Sequence, residues 1–201
     1  MSQTKKEIRA TYDKVALAYN SDHVSLKAGN LFSAFTQLLL DYGTVLDLGC
    51  GNGMNSAKPL LKLGYQVIGI DFSATQIKLA KQNCQNAAFF ERDIATLKPH
   101  EFSVDGIICL YALFHLPRIE HGSWLKTIAS FLKPGAPVFI TLGDKDFEGW
   151  HAFYGSRVWS SHYGPEKNRQ LLADAGFEII EDVMDYSGGE RHQVVLAKKR
   201  Y

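Results

Sequence analysis

Three glycines within five residues, Gly49, Gly51 and Gly53, follow the apolar run Val45-Leu46-Asp47-Leu48 and precede an apolar-periodic segment from Met54 to Leu63. This stretch constrains the chain more than any other, because it reads as a buried parallel strand, a tight loop and a helix. Glycine removes the Cβ where a backbone turns sharply or approaches a ligand, and the first turn of a helix offers N–H groups that have no partner within the helix. A second apolar run, Tyr65 to Ile70, ends in Asp71, where a βαβ unit places a carboxylate to accept from ribose hydroxyls. A nucleotide-like ligand is the natural occupant.

Spacing alone leaves two readings open. The first is a dinucleotide-binding dehydrogenase, whose loop carries G-x-G-x-x-G; here the pattern is G-x-G-x-G. The second starts from Asp47, an acid inside the strand that is costly to bury unless it fixes the loop through backbone N–H groups or meets a cationic ligand. Val45 to Gly53 closely resembles the first motif of class I S-adenosylmethionine-dependent methyltransferases. Val67 to Ser73 looks like that family's second strand with its ribose-binding acid, and Glu91-Arg92-Asp93-Ile94 like its adenine-contacting turn. Val104 to His115 resembles the fourth strand and its exit, and Leu132 to Ile140 the turn into the fifth. The agreement runs in order over roughly residues 40 to 145, which is far more specific than a lone glycine loop.

The resemblance implies an α/β fold: a Rossmann-like three-layer sandwich with a seven-stranded, mostly parallel sheet in the order 3-2-1-4-5-7-6, strand 7 antiparallel, and helices on both faces. It implies S-adenosyl-L-methionine as cofactor, held by Asp47, Gly49, Cys50, Gly51, Gly53, Asp71, Phe72, Asp93, Ile94 and Leu110. Asp93 would accept from the adenine amino group while Ile94 packs on the ring.

At 201 residues the chain fits one domain, with N-terminal helices over 1–42 and an insert over 143–163. Its 46% hydrophobic and 21% charged residues suit a water-soluble globule, and no apolar run is long enough to span a membrane. Residues 1 to 7 lead into a polar helix rather than a signal sequence, so a cytoplasmic location is expected. A net charge of +1 creates no broad field for nucleic acid, which makes a small molecule the expected partner. Cys50, Cys84 and Cys109 lack metal-ligand spacing and read as buried thiols.

Helical spacing of Ile8, Tyr12, Val15, Ala16 and Tyr19 predicts a helix over Thr4 to Asn20, and a second covers Leu26 to Tyr42. The first resembles a lid found over the cofactor in many small-molecule methyltransferases, which gives Tyr12 and Tyr19 either a pocket role or a packing role. Ser73-Ala74-Thr75-Gln76 has the form of a capping box opening a helix to about Gln85, and Pro117 suits the first turn of a helix running to Leu132. Asp105, at the entrance of the fourth strand, reads as structural. Gly143 to Tyr163 is the least regular stretch; its mixture of aromatic, histidine and acidic residues looks like a substrate wall, with Trp150, Tyr154, Trp159 and His162 facing the acceptor, and the alternative is a helical insert. Phe177 to Met184 and His192 to Lys198 read as strands joined across Gly188-Gly189, hence antiparallel.

Methyl transfer from a sulfonium requires mainly positioning, and a general base only where the acceptor must lose a proton. His115 and Tyr111, at the exit of the fourth strand, are the candidate catalytic residues, His115 as base or acceptor-orienting group; its alternative is a cap or a wall hydrogen bond. No metal is expected, because Asp144, Asp146, Glu148 and His151 have no spacing that directs them to one point and the family's acid after the fourth strand is absent. The function expected is methylation of a small-molecule oxygen or nitrogen. The competing functions are a cofactor-binding sensor or scaffold without turnover and, against Asp47 and the glycine spacing, a nicotinamide-dependent oxidoreductase.

Overall fold

The structure, a computed structural model, describes residues 3–22, 29–186 and 191–201, with side chains outside the description at 17–22 and 29. In chain order the helices are α1 (Gln3–Asp22), α2 (Gly29–Leu38), α3 (Ala57–Lys62), α4 (Ala74–Asn83), α5 (His121–Ala129) and α6 (Pro165–Asp174). The strands are β1 (Thr44–Leu48), β2 (Gln66–Asp71), β3 (Ala88–Glu91), β4 (Gly106–Cys109), β5 (Pro137–Gly143), β6 (Phe147–Phe153), β7 (Ser156–His162), β8 (Phe177–Asp185) and β9 (His192–Lys199).

Seven strands form one sheet in the order β3-β2-β1-β4-β5-β9-β8. The first five are parallel, and β9 enters antiparallel between β5 and β8, pairing Thr141 with Val194 and Gly143 with His192. With the β6–β7 pair set aside, this is the order expected from the sequence. Every residue of β4 and β5 is buried, as a parallel sheet covered on both faces requires. One face packs Leu46, Ile107, Val138 and Ile140 against Leu125 and Ile128 of α5. The other packs Val45, Val67, Ile108 and Phe139 against Phe35 of α2, Leu60 of α3 and Ile77 of α4. Period-2 alternation along the central strands thus sends one apolar set to each helical layer. None of the described helices is long and apolar enough to cross a membrane.

Several boundaries differ from expectation. The helix after the glycine loop starts at Ala57 rather than Met54, because residues 51–56 are spent in turns. Pro117 opens a short 3₁₀ turn, Arg118–Glu120, and the α-helix begins only at His121. Ser73 Oγ does accept from Gln76 N (3.1 Å), but the second arm of the capping arrangement comes from outside the helix: Asp71 Oδ1 accepts from Ser73 N at 2.8 Å. Asp105 is structural, with Oδ2 accepting from Thr44 N (2.9 Å) and Oδ1 from Lys133 (2.5 Å). Gly188-Gly189 lies outside the described residues.

The largest correction concerns 143–163. This stretch is neither irregular nor helical; β6 and β7 form a hairpin with strict alternation of burial along β6. Its turn is Tyr154-Gly155, both in the left-handed region (φ 48° and 68°), as a two-residue type I′ turn demands. The alternation is hidden in the sequence because Trp150 and Ala152 point outward while Gly149 points inward.

Candidate functional site

The glycine loop is shaped by its backbone. Gly49, Gly51 and Gly53 all have positive φ (77°, 52° and 75°), and a Cβ on Gly49 would collide with Ala112. Gly49 N and Cys50 N both donate to Ile70 O, at 2.8 and 3.0 Å, which bends the loop toward β2. Gly51 N donates to Asp71 Oδ2 at 2.9 Å, so the Asp71 carboxylate is held by two backbone N–H groups, this one and that of Ser73. Burial nevertheless pushes its pKa up to about 6, against the pull of those hydrogen bonds.

Asp47 also lines the cavity described below. It accepts from the Ser56 hydroxyl rather than from loop N–H groups, tying the end of β1 to the start of α3 across the loop, and burial raises its pKa to about 7. A Cβ on Gly53 would meet Cys84 Sγ and the Phe89 ring, so the residue packs closely between the loop and α4. Cys50, Cys84 and Cys109 are buried free thiols.

Gly49, Cys50, Gly51 and Asp71 line one end of a cavity of about 650 Å³, together with Phe72, Asp93, Ile94 and Leu110. Asp93 accepts from Ala95 N (2.9 Å) as the cap of a 3₁₀ turn, Ile94–Thr96, and pairs with Lys5 Nζ at 3.0 Å. Lys5 belongs to α1, which lies across this edge like a strap. Asp13 Oδ1 of the same helix accepts from Ser73 Oγ at 2.5 Å, and Arg9 pairs with Glu91. On its other flank, Thr11 Oγ1 donates to Arg157 O (3.0 Å) and Glu7 pairs with Arg157 (3.3 Å), joining the strap to β7.

The same cavity is also walled by aromatic and histidine side chains, among them Tyr12, Tyr111, Tyr154 and His162. His115 is enclosed. Its Nδ1 lies 3.0 Å from the Trp159 carbonyl, which only accepts, so Nδ1 carries the hydrogen and Nε2 accepts from Tyr12 OH at 2.8 Å. Burial lowers its pKa to about 4. His115 is therefore a neutral ring whose only lone pair is already engaged by α1. Tyr111, at the exit of β4, has φ 57° and sets its ring edge-on to His192 at 5.1 Å.

Two expected wall residues are elsewhere. Trp150 is 36% exposed under the Arg157 guanidinium (4.5 Å), and Trp159 acts through its carbonyl on His115; neither lines the cavity, because alternation on the hairpin turns both rings outward. Tyr19 lies in α1 with its side chain outside the described residues. No cluster of three or more His, Cys, Asp and Glu groups suited to a metal occurs among the described residues. Sequence reasoning missed two cavity residues that matter. Thr141 Oγ1 and Asn55 Oδ1 are buried without a hydrogen-bond partner among the described residues. Thr141 is 1% exposed in an otherwise apolar strand, and nothing in its neighbours marks it beforehand.

Residues 45–135 match the family described as methyltransferase domain. The chain is 31% identical over 118 residues to a ubiquinone biosynthesis O-methyltransferase of Coxiella burnetii, a match that covers 57% of this chain and 49% of the relative. The chain thus spans about half the length of the curated relatives it matches. Among solved structures, magnesium protoporphyrin IX methyltransferase from Synechocystis PCC 6803 with bound S-adenosylhomocysteine superposes with a TM-score of 0.65 at 22% identity, covering 99% of this chain and 88% of that one. The [4+2]-cyclase SpnF superposes with a TM-score of 0.74 at 18% identity, covering 99% and 98%. One fold therefore carries more than one chemistry, and the acceptor has to be read from the cavity.

Proposed function

We propose that this chain, a member of the class I S-adenosylmethionine-dependent methyltransferases, transfers a methyl group to an oxygen or nitrogen of a small-molecule acceptor. The observation that carries this reading is the single cavity that joins the nucleoside-shaped edge of Gly49, Gly51, Asp71 and Asp93 to an aromatic wall under one strap. The cofactor supplies an electrophilic methyl group with its leaving group already activated. The chain's residues fit it. Asp71 offers the ribose hydroxyls a carboxylate already oriented by two backbone donors. Ile94, Phe72 and Leu110 provide apolar contact for the base, and Asn55 Oδ1, without a partner among the described residues, suits the ammonium of the methionyl end.

The remaining work is positioning. The α1 strap, latched by Lys5, Asp13 and Tyr12, excludes water, and alignment of acceptor and methyl group contributes on the order of 7–11 kcal/mol in favourable cases. His115 holds the Tyr12 phenol in place, and Tyr111 borders the acceptor at the exit of β4. The balanced charge of +1 and the aromatic-lined cavity favour a metabolite over a nucleic acid as acceptor.

The test is incubation with methyl-labelled S-adenosylmethionine and metabolite extracts, alongside calorimetry with S-adenosylhomocysteine and NADH. A labelled small product and S-adenosylhomocysteine binding are expected. Label in protein or RNA alone refutes the acceptor class, and binding of NADH alone refutes the whole reading.

A further inference from the structure

We propose that His162, and not His115, is the general base that takes the proton from the methyl acceptor, with the Thr141 hydroxyl orienting that acceptor; this rests on the methyl-transfer reading above. Three histidines of the cavity are held in the same tautomer by backbone carbonyls, but their lone pairs have different fates. In His115 the Nε2 lone pair is taken by Tyr12 OH at 2.8 Å, and in His151 by Ser160 Oγ at 2.9 Å. In His162 the Lys145 carbonyl lies 2.7 Å from Nδ1, so Nδ1 carries the hydrogen, and Nε2 has no hydrogen-bond partner among the described residues.

The ring is seated by design of the backbone. His162 ends β7 and lies directly on Gly143 of β5, where any Cβ would collide with its Nδ1 edge. Phe114 and Phe147 flank it, each with ring centroids 5.6 Å away. Thr141 is two residues before Gly143 on the same strand, hence on the same face, and both it and His162 line the cavity. A hydroxyl that is 1% exposed and lacks a partner among the described residues costs about 1–3 kcal/mol unless something answers it. An acceptor O–H or N–H that bridges Thr141 and His162 Nε2 satisfies both groups at once.

The charges around the ring suit a base at neutral pH. Burial, Lys145 and His151 draw the His162 pKa below its ordinary value, while the Lys145 carbonyl and Asp144 pull it upward, so the ring is neutral and ready to accept. His121 of α5, whose own pKa His162 helps to lower, is kept neutral chiefly by burial. In the reaction the carbon–sulfur bond breaks with its electron pair left on sulfur, and the acceptor's lone pair forms the new bond to the methyl carbon. The acceptor's proton passes to His162 Nε2 and from the imidazolium to water.

The experiment has two arms. In the ligand-free chain, ¹⁵N imidazole spectra from pH 4 to 8 are expected to show His162 as the Nδ1–H tautomer, and diethyl pyrocarbonate is expected to modify it ahead of His115. An Nε2–H tautomer, or a His162 that resists the reagent while His115 reacts, overturns the proposal. In turnover of the acceptor found in the labelling screen, at saturating cofactor, His162→Gln is expected to lose roughly 10²–10⁴-fold in kcat and the acidic limb of its pH profile, with S-adenosylhomocysteine affinity unchanged. Thr141→Val is expected to raise the acceptor KM and keep that limb. A His162→Gln variant within threefold of wild type overturns the base assignment alone, whereas a wild-type chain that binds no S-adenosylhomocysteine overturns the methyl-transfer reading beneath it.

Discussion

Cofactor affinity should fall with pH because the carboxylate offered to the ribose is buried. Asp71 sits between Gly51 N and Ser73 N, and desolvation moves its pKa up to about 6, into a range where an ordinary aspartate has long been ionised. Only the carboxylate accepts from both ribose hydroxyls while keeping its two backbone donors. With a pKa near 6 the ionised fraction is about 0.97 at pH 7.5 and about 0.09 at pH 5, so binding should weaken about tenfold, or about 1.4 kcal/mol, across that interval. Calorimetry with S-adenosylhomocysteine, repeated in buffers of different ionisation enthalpy, reads both the affinity and the protons released. One proton per binding event is expected near pH 5 from Asp71. A steeper dependence brings in Asp47, whose pKa is raised to about 7 on the same cavity. Asp71→Asn should weaken binding at pH 7.5 by about 1.5–3 kcal/mol for a lost charge-assisted hydrogen bond and flatten the slope. A wild-type profile that is flat from pH 7.5 to 5, or an Asp71→Asn variant that keeps the slope, refutes the reasoning.

Tyr12→Phe leaves His115 Nε2 buried without its donor; at about 1–3 kcal/mol this should loosen α1, seen as faster cleavage there in limited proteolysis and faster S-adenosylhomocysteine release, with the circular dichroism spectrum unchanged. Gly143→Ala forces a methyl group into the His162 ring and should lower stability by about 1–3 kcal/mol in urea unfolding. Trp150→Ala should leave S-adenosylhomocysteine affinity and turnover unchanged, because that ring faces out under Arg157; a loss of either would put it back in the wall. Burial lowers the His121 pKa from 6.5 to about 4, so its neutral form stabilises the fold above pH 6.5 and that contribution is lost as pH falls toward 4. Between pH 7 and 4.5 His121→Gln should therefore lose about 2 kcal/mol less stability than wild type, measured by urea midpoints at the two pH values.

The legible part of this molecule was the part governed by local rules. The glycine loop, the acid that ends β2 and the apolar runs announce β1, β2, β4 and β5, because a strand covered on both faces is predominantly apolar and a left-handed turn favours glycine. The β6–β7 hairpin was not legible. Its turn is Tyr154-Gly155 rather than Asn-Gly, and its outward face carries Trp150, so neither the turn signal nor the alternation of hydrophobicity survives in the residues themselves. The same limit applied to Trp159, chosen for its ring and used for its carbonyl.

The histidines show where the division falls. From the sequence alone came the glycine loop with the acid that follows it, the apolar strands and the presence of histidine near the strand exits, through periodicity, glycine geometry and chain order, while the order of the strands came from the resemblance to the methyltransferase family. Which imidazole has a lone pair to spare depended on three contacts between residues far apart in the chain: Tyr12 with His115, Lys145 with His162, and Gly143 beneath the His162 ring. A tautomer is set by the atom on the other side of the ring, and that atom is supplied by folding.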